Sequence, residues 1–313
     1  MSRADSILTV RLERLTARID TNYIQIPDQI WTFRSLGNIG ISSIDATGRA
    51  SDSLDYHTEL NTDPRGTLTL TANYRGFTVG FALNPAKLSG RNKDMEMYIL
   101  AYGNRFGAEF LIQSASTYSG KTRLTARPSG QVSMMDIGKG ITEQRGILAN
   151  LYYAFNYKRF SYPAAFTQSY LQVRPAGSLI INASFQHNII ERKNAFSGDE
   201  RFMQQISTNL LGIGAGYAYH FVPNRHWLIH ISCQPSLVIF SRNGIRFPDS
   251  QEQRLKFYFP EAIILGQFAA IYSWDKFFAG MNTSYHYSNI GRTDDAYINL
   301  QTTRVRLLFG VRI

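Results

Sequence analysis

Residues 304–313 read RVRLLFGVRI and carry the pattern that decides the fold. Apolar side chains recur at every second position: Val305, Leu307, Phe309, Val311 and Ile313. Between them lie Arg304, Arg306, Gly310 and Arg312. Successive side chains of a β-strand point to opposite faces, so one face of this strand is apolar and the other is basic.

The same alternation recurs along most of the chain. Residues 67–74 and 77–84 alternate on either side of Arg75 and Gly76, which predicts a hairpin with a tight turn. Further alternating segments begin near residues 106, 147, 178 and 211. Segments of about ten such residues are the signature of transmembrane barrels. We therefore predict an all-β fold, a closed antiparallel transmembrane β-barrel of about 12 strands, within a range of about 10–14.

The composition agrees with this prediction. The chain has 313 residues with 18 Tyr, 20 Phe and 24 Gly, and its mean hydropathy is -0.21. No stretch approaches the roughly 20 apolar residues that a spanning helix needs. The single cysteine, Cys233, excludes an intramolecular disulfide. No signal peptide is visible, so we expect a mature chain after signal-peptide removal, integral to the bacterial outer membrane.

Two kinds of connection alternate along the chain. Tight turns are expected near residues 75–76, 104–105, 223–224 and 274–275, and long polar loops near 45–65, 85–93, 119–142, 191–205, 243–256 and 291–296. Outer-membrane barrels have short periplasmic turns and longer extracellular loops. Aromatic residues beside the tight turns predict a periplasmic girdle: Tyr74, Phe77, Tyr217, Tyr219, Phe221 and Trp227.

Residues 157–176 break this alternation. Counted as a crossing they would make the strand number odd, whereas a non-crossing segment gives about 12 strands. Pro163 and Pro175 favour the second interpretation, because proline lacks the donor that a central strand needs. Such a segment cannot face lipid. Folded into the lumen it would form a plug from Phe160, Tyr162, Phe166 and Tyr170; a periplasmic loop or two further strands remain open alternatives.

The N-terminal part differs from the rest. We predict a periplasmic segment over residues 1–28 and the barrel over residues 29–313. Leu8, Leu12, Leu15 and Ile19 recur at helical spacing, which predicts a short amphipathic helix within residues 5–20. A poorly ordered terminus is the alternative.

Several short blocks resemble one protein family. They are Asp20-Thr21-Asn22-Tyr23-Ile24, Tyr74-Arg75-Gly76, Tyr102-Gly103-Asn104-Arg105-Phe106-Gly107, Phe160-Ser161-Tyr162-Pro163-Ala164-Ala165-Phe166 and Ala176-Gly177-Ser178. In their order they resemble an uncharacterised family of Bacteroidetes outer-membrane proteins, catalogued as domain of unknown function 4421. The resemblance covers nearly the whole chain from Asp20 onward. It implies the fold and the compartment, and it transfers no catalytic residue.

The formal net charge of +10 limits the classes of binding partner that we expect. Lys and Arg are scattered without an RNA-binding signature, so no nucleic acid is expected. Outer-membrane lipid, lipopolysaccharide and a small anionic solute fit the charge better. Inward-facing charges are predicted at Arg304, Arg306, Arg312 and Glu109, which would either draw anions or fill a narrow lumen with ion pairs. Phosphate-loop and metal motifs are lacking, so no cofactor and no metal are expected.

Our leading prediction is a barrel with a narrow, polar, partly plugged lumen that binds or passes a small, anionic solute. Ser284 and His286 lie two residues apart on one strand face, which is consistent with a serine activated by a histidine. The alternative function is therefore an outer-membrane enzyme that acts on lipid A or phospholipid. Such a pair needs a partner acid or amide, and Asn282 is the nearest candidate. The third is a structural subunit with envelope protein partners.

Overall fold

The computed structural model describes residues 19–74, 77–83, 95–192, 204–246, 253–292 and 296–313. The turn predicted at 75–76 and the loop predicted at 85–93 lie outside the described residues, as does nearly all of the helix predicted over 5–20. The described helix, α1, covers Tyr162–Phe166. No helix in the described part of the chain is long and apolar enough to cross a membrane.

Strands make up most of the described residues. In chain order they are β1 Ile24–Gln25, β2 Trp31–Ser51, β3 Leu54–Thr62, β4 Arg65–Tyr74, β5 Phe77–Leu83, β6 Met95–Tyr102, β7 Phe106–Ala126, β8 Val132–Ala154, β9 Leu171–Gln172, β10 Ala176–Arg192, β11 Gln205–Asn224, β12 Trp227–Ser241, β13 Asn243–Arg246, β14 Gln253–Leu255, β15 Ala262–Trp274, β16 Phe277–Arg292 and β17 Ala296–Arg312.

Twelve of the described strands close into one antiparallel ring. Their order around the ring is β2, β4, β5, β6, β7, β8, β10, β11, β12, β15, β16, β17 and again β2. The β17–β2 pairing runs from Ala296 opposite Gly48 to Arg312 opposite Thr32. In hydrocarbon every backbone N–H and C=O needs a partner, and a closed ring supplies one on both edges of each strand. The predicted all-β barrel of about 12 strands is confirmed.

The two faces of the ring have opposite polarity. The outward face carries exposed apolar side chains, among them Phe33, Ile39, Leu70, Ile181, Ile231 and Leu307. The inward face carries buried polar side chains, among them Asn38, Thr71, Asn182, Gln234, Ser284 and Arg304. A barrel in water would show the reverse arrangement. The apolar outside is therefore the surface that faces lipid.

One end of the ring holds the short connections. Residues 103–105, 225–226 and 275–276 join neighbouring strands there, and Trp31 N donates to Ile313 O at 3.0 Å at the same end. Because short turns are periplasmic in such barrels, this is the periplasmic end. The connection from β8 to β10, residues 155–175, lies at this end too and forms no crossing strand, as predicted.

Aromatic side chains surround the periplasmic end. Tyr217, Phe221 and Trp227 are exposed on the outward face, and the Tyr219 ring lies 4.6 Å from the Phe221 ring. The outward position predicted for these girdle residues is confirmed. The side chain of Phe77 lies outside the described residues.

Two of the predicted long polar loops are wrong. Residues 45–65 contain the top of β2 and all of β3, which pairs with β2 and also with β7. Residues 119–142 contain the upper parts of β7 and β8, paired up to Thr125 opposite Val132. The exposed outward side chains such as Ile39, Leu70 and Leu307 form the apolar belt. These strands extend the wall beyond it, and we call this region the outer extension. Of the other predicted loops, the described part of 243–256 contains β13 and β14.

The alternation of polarity reverses where the outer extension begins. On β2, Ile39 and Ile41 point outward. Ile44 and Ala46, which lie further from the periplasmic end, are instead buried inside. On β17, Leu307 points outward whereas Ile298 and Leu300 are buried inside. Above the lipid the outside meets water, so apolar side chains move to the inside. The prediction of loops failed because it assumed an apolar outside along the whole strand.

Leu307→Arg tests the position of the lipid. Leu307 is 63% exposed in the middle of the apolar belt, and arginine near the bilayer midplane should lower the free energy of unfolding by about 2–4 kcal/mol. Gln301→Arg on the same outward face, beyond the belt, should cost about 0–1 kcal/mol. Denaturant unfolding in liposomes measures both, and equal costs at the two positions would contradict the assigned belt.

Candidate functional site

The connection between β8 and β10 turns into the barrel. We call residues 155–175 the plug segment. Its short helix α1 has Pro163 in the first turn, where the missing N–H loses no helical hydrogen bond. The helix continues through Ala164 and Ala165. It ends at Thr167, whose N–H donates to Pro163 O at 2.9 Å. Gln168 then takes a left-handed backbone conformation with φ 54° and turns the chain back.

Three aromatic side chains of the plug segment pack against rings of the wall. Tyr162 lies 4.6 Å from Tyr152 of β8 and 5.6 Å from Tyr102 of β6, as ring centroids. Across the lumen, Phe160 lies 4.4 Å from His220 of β11. Phe166 is buried in the same cluster, which Tyr170 covers from its edge. Contacts on opposite sides of the ring place these residues within the lumen.

Polar groups of the wall bind the plug segment as well. Arg34 Nη1 donates to Phe166 O, and Arg312 Nε donates to Gln168 O at 3.0 Å. The Tyr162 hydroxyl donates to Gln267 Oε1 and accepts from Gln234 Nε2 at 2.9 Å. The carbonyls of Phe166 and Gln168 thus accept from two buried guanidinium groups, which would be costly to leave unpaired.

The described N-terminal residues fasten the plug segment from the periplasmic side. We call residues 19–25 the strap. Its strand β1 pairs with β9, and Asp20 N donates to Lys158 O at 2.8 Å. Arg159 Nε lies 3.2 Å from Asp20 Oδ2, and the guanidinium groups of Arg159 and Arg174 lie 5.1 and 5.9 Å from the Tyr23 ring. The strap therefore belongs with the plug segment rather than with the wall.

Five inward arginines line one side of the lumen. Arg65 and Arg304 both lie level with Gly40, and Arg306 lies opposite Asn38. Nearer the periplasm are Arg34, opposite Gly310, and Arg312, opposite Thr32. We call Arg65, Arg304, Arg306, Arg34 and Arg312 the arginine ladder. Residues two apart on a strand are separated by about 6.6 Å, so neighbouring rungs on β17 lie close enough to share one anion.

Partners within the wall hold the upper rungs of the ladder. Arg304 Nη2 donates to Gln113 Oε1, and Arg65 Nη2 donates to Ser42 Oγ at 2.7 Å. At the lower end, the Arg312 guanidinium lies 4.7 Å from the Phe278 ring. These contacts hold the guanidinium groups on the inward face of the wall.

A small cavity lies between the ladder and the plug segment. Its volume is about 20 Å³, and its walls include Arg34, Arg306, Glu109, Gln267, Asn282 and Phe166. This is room for about one water molecule. Glu109 Oε2 accepts from the Tyr102 hydroxyl at 2.9 Å. The predicted lumen residues Glu109 and Arg306 thus line one cavity, whereas Arg304 and Arg312 lie elsewhere on the ladder.

The predicted serine and histidine do not form a catalytic pair in this structure. Ser284 and His286 are both buried on the inward face of β16. Ser284 Oγ has no hydrogen-bond partner among the described residues, so His286 does not activate it here. Catalysis by these residues stays a prediction without support from the geometry.

Sequence reasoning missed part of the site. Arg34 was not singled out, although it stands at an inward position of the alternating segment 31–42. His220 and His230 are fully buried, directly opposite each other on β11 and β12, and they contact the plug segment. Their role depends on contacts across the lumen, for which strand periodicity has no signal.

One group of possible metal ligands lies on the outer extension. Asp45, His57 and Glu59 each offer a ligand atom, and these atoms lie within 4.8 Å of one another. His57 Nδ1 is already 2.7 Å from Thr47 Oγ1, and its Nε2 is 2.8 Å from Glu59 Oε1. Lys121 and Arg123 stand opposite Glu59 and His57 on β7, and their charge opposes a bound cation. The expectation of no metal stays a prediction.

These features define the class of protein. A closed ring with an apolar outside and a polar, arginine-lined inside has the fold of an outer-membrane β-barrel. The chain belongs to the family described as Domain of unknown function (DUF4421), which matches residues 18–312. A comparison with curated proteins finds no match.

Solved structures resemble the chain in fold. The outer membrane protease OmpT from Escherichia coli is 9% identical, with a TM-score of 0.49, over 92% of this chain and 97% of that chain. The translocator domain of autotransporter NalP from Neisseria meningitidis is 10% identical, with a TM-score of 0.30, over 99% and 96%. The P. putida toluene transporter TodX is 7% identical, with a TM-score of 0.28, over 92% and 91%. Such values assign no function to this chain.

Phe160→Ala tests the seating of the plug segment. Truncating this fully buried ring should weaken docking by about 3–5 kcal/mol. Hydrogen exchange of residues 160–168 should then accelerate on the order of 100-fold or more, while the barrel strands stay protected. Phe155→Ala is the matched control, because Phe155 is exposed at the same turn. Equal exchange in the two variants would show that the segment is not seated as described.

Proposed function

We propose that the protein lies in the bacterial outer membrane and binds a small anionic solute in its lumen, which passes along the arginine ladder when the plug segment moves aside. Lipid and lipopolysaccharide surround its apolar belt in this proposal. The described structure then corresponds to the closed state, because the plug segment fills the periplasmic end of the lumen.

The arginine ladder is the observation that carries this proposal. Arg34, Arg304 and Arg312 are each at most 4% exposed, and they face the lumen together with Arg65 and Arg306. Glu109 is a carboxylate among them. Low-dielectric walls strengthen the attraction of the guanidinium groups for an anion. Successive rungs offer an entering anion a new partner before it leaves the last, which favours passage over tight capture.

Neutral polar groups complete the proposed binding surface. Asn282 Oδ1 and Ser284 Oγ on β16 are buried and have no hydrogen-bond partner among the described residues. The same holds for Asn182 Oδ1 on β10 and Gln234 Oε1 on β12. Buried polar atoms need partners. A solute that carries hydroxyl or amide donors beside its anionic group would supply them.

The size of the lumen limits the solute. With the plug segment seated, the cavity beside Arg34 and Arg306 holds about one water molecule. A barrel of this strand number lies between the roughly 8-stranded barrels that side chains fill and the roughly 16–18-stranded porins that hold an aqueous channel, so its lumen is narrow. The proposal therefore concerns solutes with few heavy atoms, such as a small carboxylate or phosphate ester, rather than polymers.

Conductance of a variant without residues 161–172 tests the proposal. In planar bilayers the variant should conduct more than the full chain. In a potassium chloride gradient its reversal potential should show chloride selectivity, because the ladder attracts anions.

The ladder should be the source of that selectivity. Arg304→Gln and Arg306→Gln in the deletion variant should each shift the reversal potential toward zero. Ser288→Ala, a neutral change on the inward face of β16, is the matched control and should leave it unchanged. Cation selectivity, or selectivity that survives both arginine changes, would refute the proposed function.

A further inference from the structure

The wall groups that hold the plug segment also line the cavity. Arg34 donates to Phe166 O and to Gln168 Oε1, at 3.3 Å in the second case, and it lines the cavity beside Arg306. Gln267 accepts from the Tyr162 hydroxyl and lines the same cavity. A solute in the cavity and the plug segment would therefore compete for the same partners.

The plug segment presents oxygen atoms to the ladder as an anion would. Phe166 O and Gln168 O lie at the end of α1, and each accepts from a buried arginine, Arg34 and Arg312. The left-handed backbone of Gln168 turns its carbonyl toward β17. A charged oxyanion adds the Coulomb attraction of opposite charges to such a hydrogen bond, which a neutral carbonyl does not. An oxyanion is thus the better ligand for the same rungs.

The small volume of the cavity prevents a solute and the plug segment from occupying it together. The cavity of about 20 Å³ is room for about one water molecule. A phosphate or carboxylate group with its several heavy atoms needs more room. Phe166 is the cavity wall contributed by the plug segment, so this wall must withdraw before Arg34 and Arg306 can hold an oxyanion together.

We infer that an oxyanion in the lumen releases the plug segment: it replaces the Phe166 carbonyl and the Gln168 side-chain oxygen on Arg34 and excludes Phe166 from the cavity. This regulation rests on the proposed function and deepens it, since the solute itself opens its path. Binding of the solute and undocking of the plug segment are then coupled, and coupling of this kind typically changes an equilibrium about 5–150-fold.

The strap confines the movement. β1 stays paired with β9, and Arg159 holds Asp20, at the periplasmic rim below the cavity. Neither contact involves a residue of the cavity wall. Release of α1 therefore swings residues 160–168 out of the lumen, while residues 171–173 remain anchored.

Accessibility of residue 165 tests the inference directly. Ala165 is fully buried in α1, so Ala165→Cys in a Cys233→Ser background should react slowly with a neutral thiol reagent. Inorganic phosphate, compared with chloride at equal ionic strength, should raise the rate saturably, within about 5–150-fold. Ala46→Cys is the matched control and should not respond, because Ala46 is also buried but lies in the cluster of the outer extension, which contains no residue of the plug segment.

Three variants separate the steps. Arg306 lines the cavity, so Arg306→Gln should lose the response to phosphate. Arg312 holds the plug segment but does not line the cavity, so Arg312→Gln should react faster in chloride and still respond to phosphate. Arg34→Gln should react faster in chloride and lose the response. If Arg306→Gln does not fold, Arg306→Lys keeps the charge and should respond at higher phosphate concentration.

The outcomes distinguish the inference from the proposed function. Phosphate that binds to the full chain by calorimetry without changing the reactivity of residue 165 overturns the inference and leaves the proposed function standing. A response that persists in Arg306→Gln also overturns it. Phosphate that does not bind, together with a lumen without anion selectivity, overturns the proposed function itself.

Discussion

The structure depends on one constraint, that no backbone N–H or C=O may remain unpaired in hydrocarbon. The constraint forces the strands into a closed ring, and closure through β17 and β2 pairs both edges of the sheet. It also explains why residues 155–175 cannot stay at lipid level on the outside. Their turns and short helix have backbone groups that only water, protein or the lumen can satisfy, and the lumen receives them.

The lumen has its own constraint, because a buried guanidinium must be hydrogen-bonded. The upper rungs of the ladder find side chains such as Gln113 and Ser42. The lower rungs find carbonyls of the plug segment. The plug segment is thus more than a filler of space, since it satisfies charges that would otherwise attract an ion. Closure of the lumen and affinity for anions have the same physical origin.

Periodicity predicted the ring because lipid imposes polarity on every second residue, as in residues 304–313. It failed on residues 45–65 and 119–142, where water replaces lipid and the apolar side chains turn inward, as Tyr56 and Leu60 do. Arg304, Arg306 and Arg312 were predicted from the same alternation to face the lumen. The contact from Arg34 to Phe166, 132 residues away along the chain, could not be predicted, because it depends on packing across the lumen.

The reversal of polarity along one strand can be measured position by position. Spin labels placed singly at each position of residues 297–311, in a Cys233→Ser background and in liposomes, report access to oxygen in lipid and to a nickel complex in water. We predict oxygen access at the odd-numbered positions 305–311, protection at Leu308, and water access at the odd-numbered positions 297–301 on the same outward face. Lipid access that continues to residue 297, or labels at 305–311 that meet water on both faces, would contradict it.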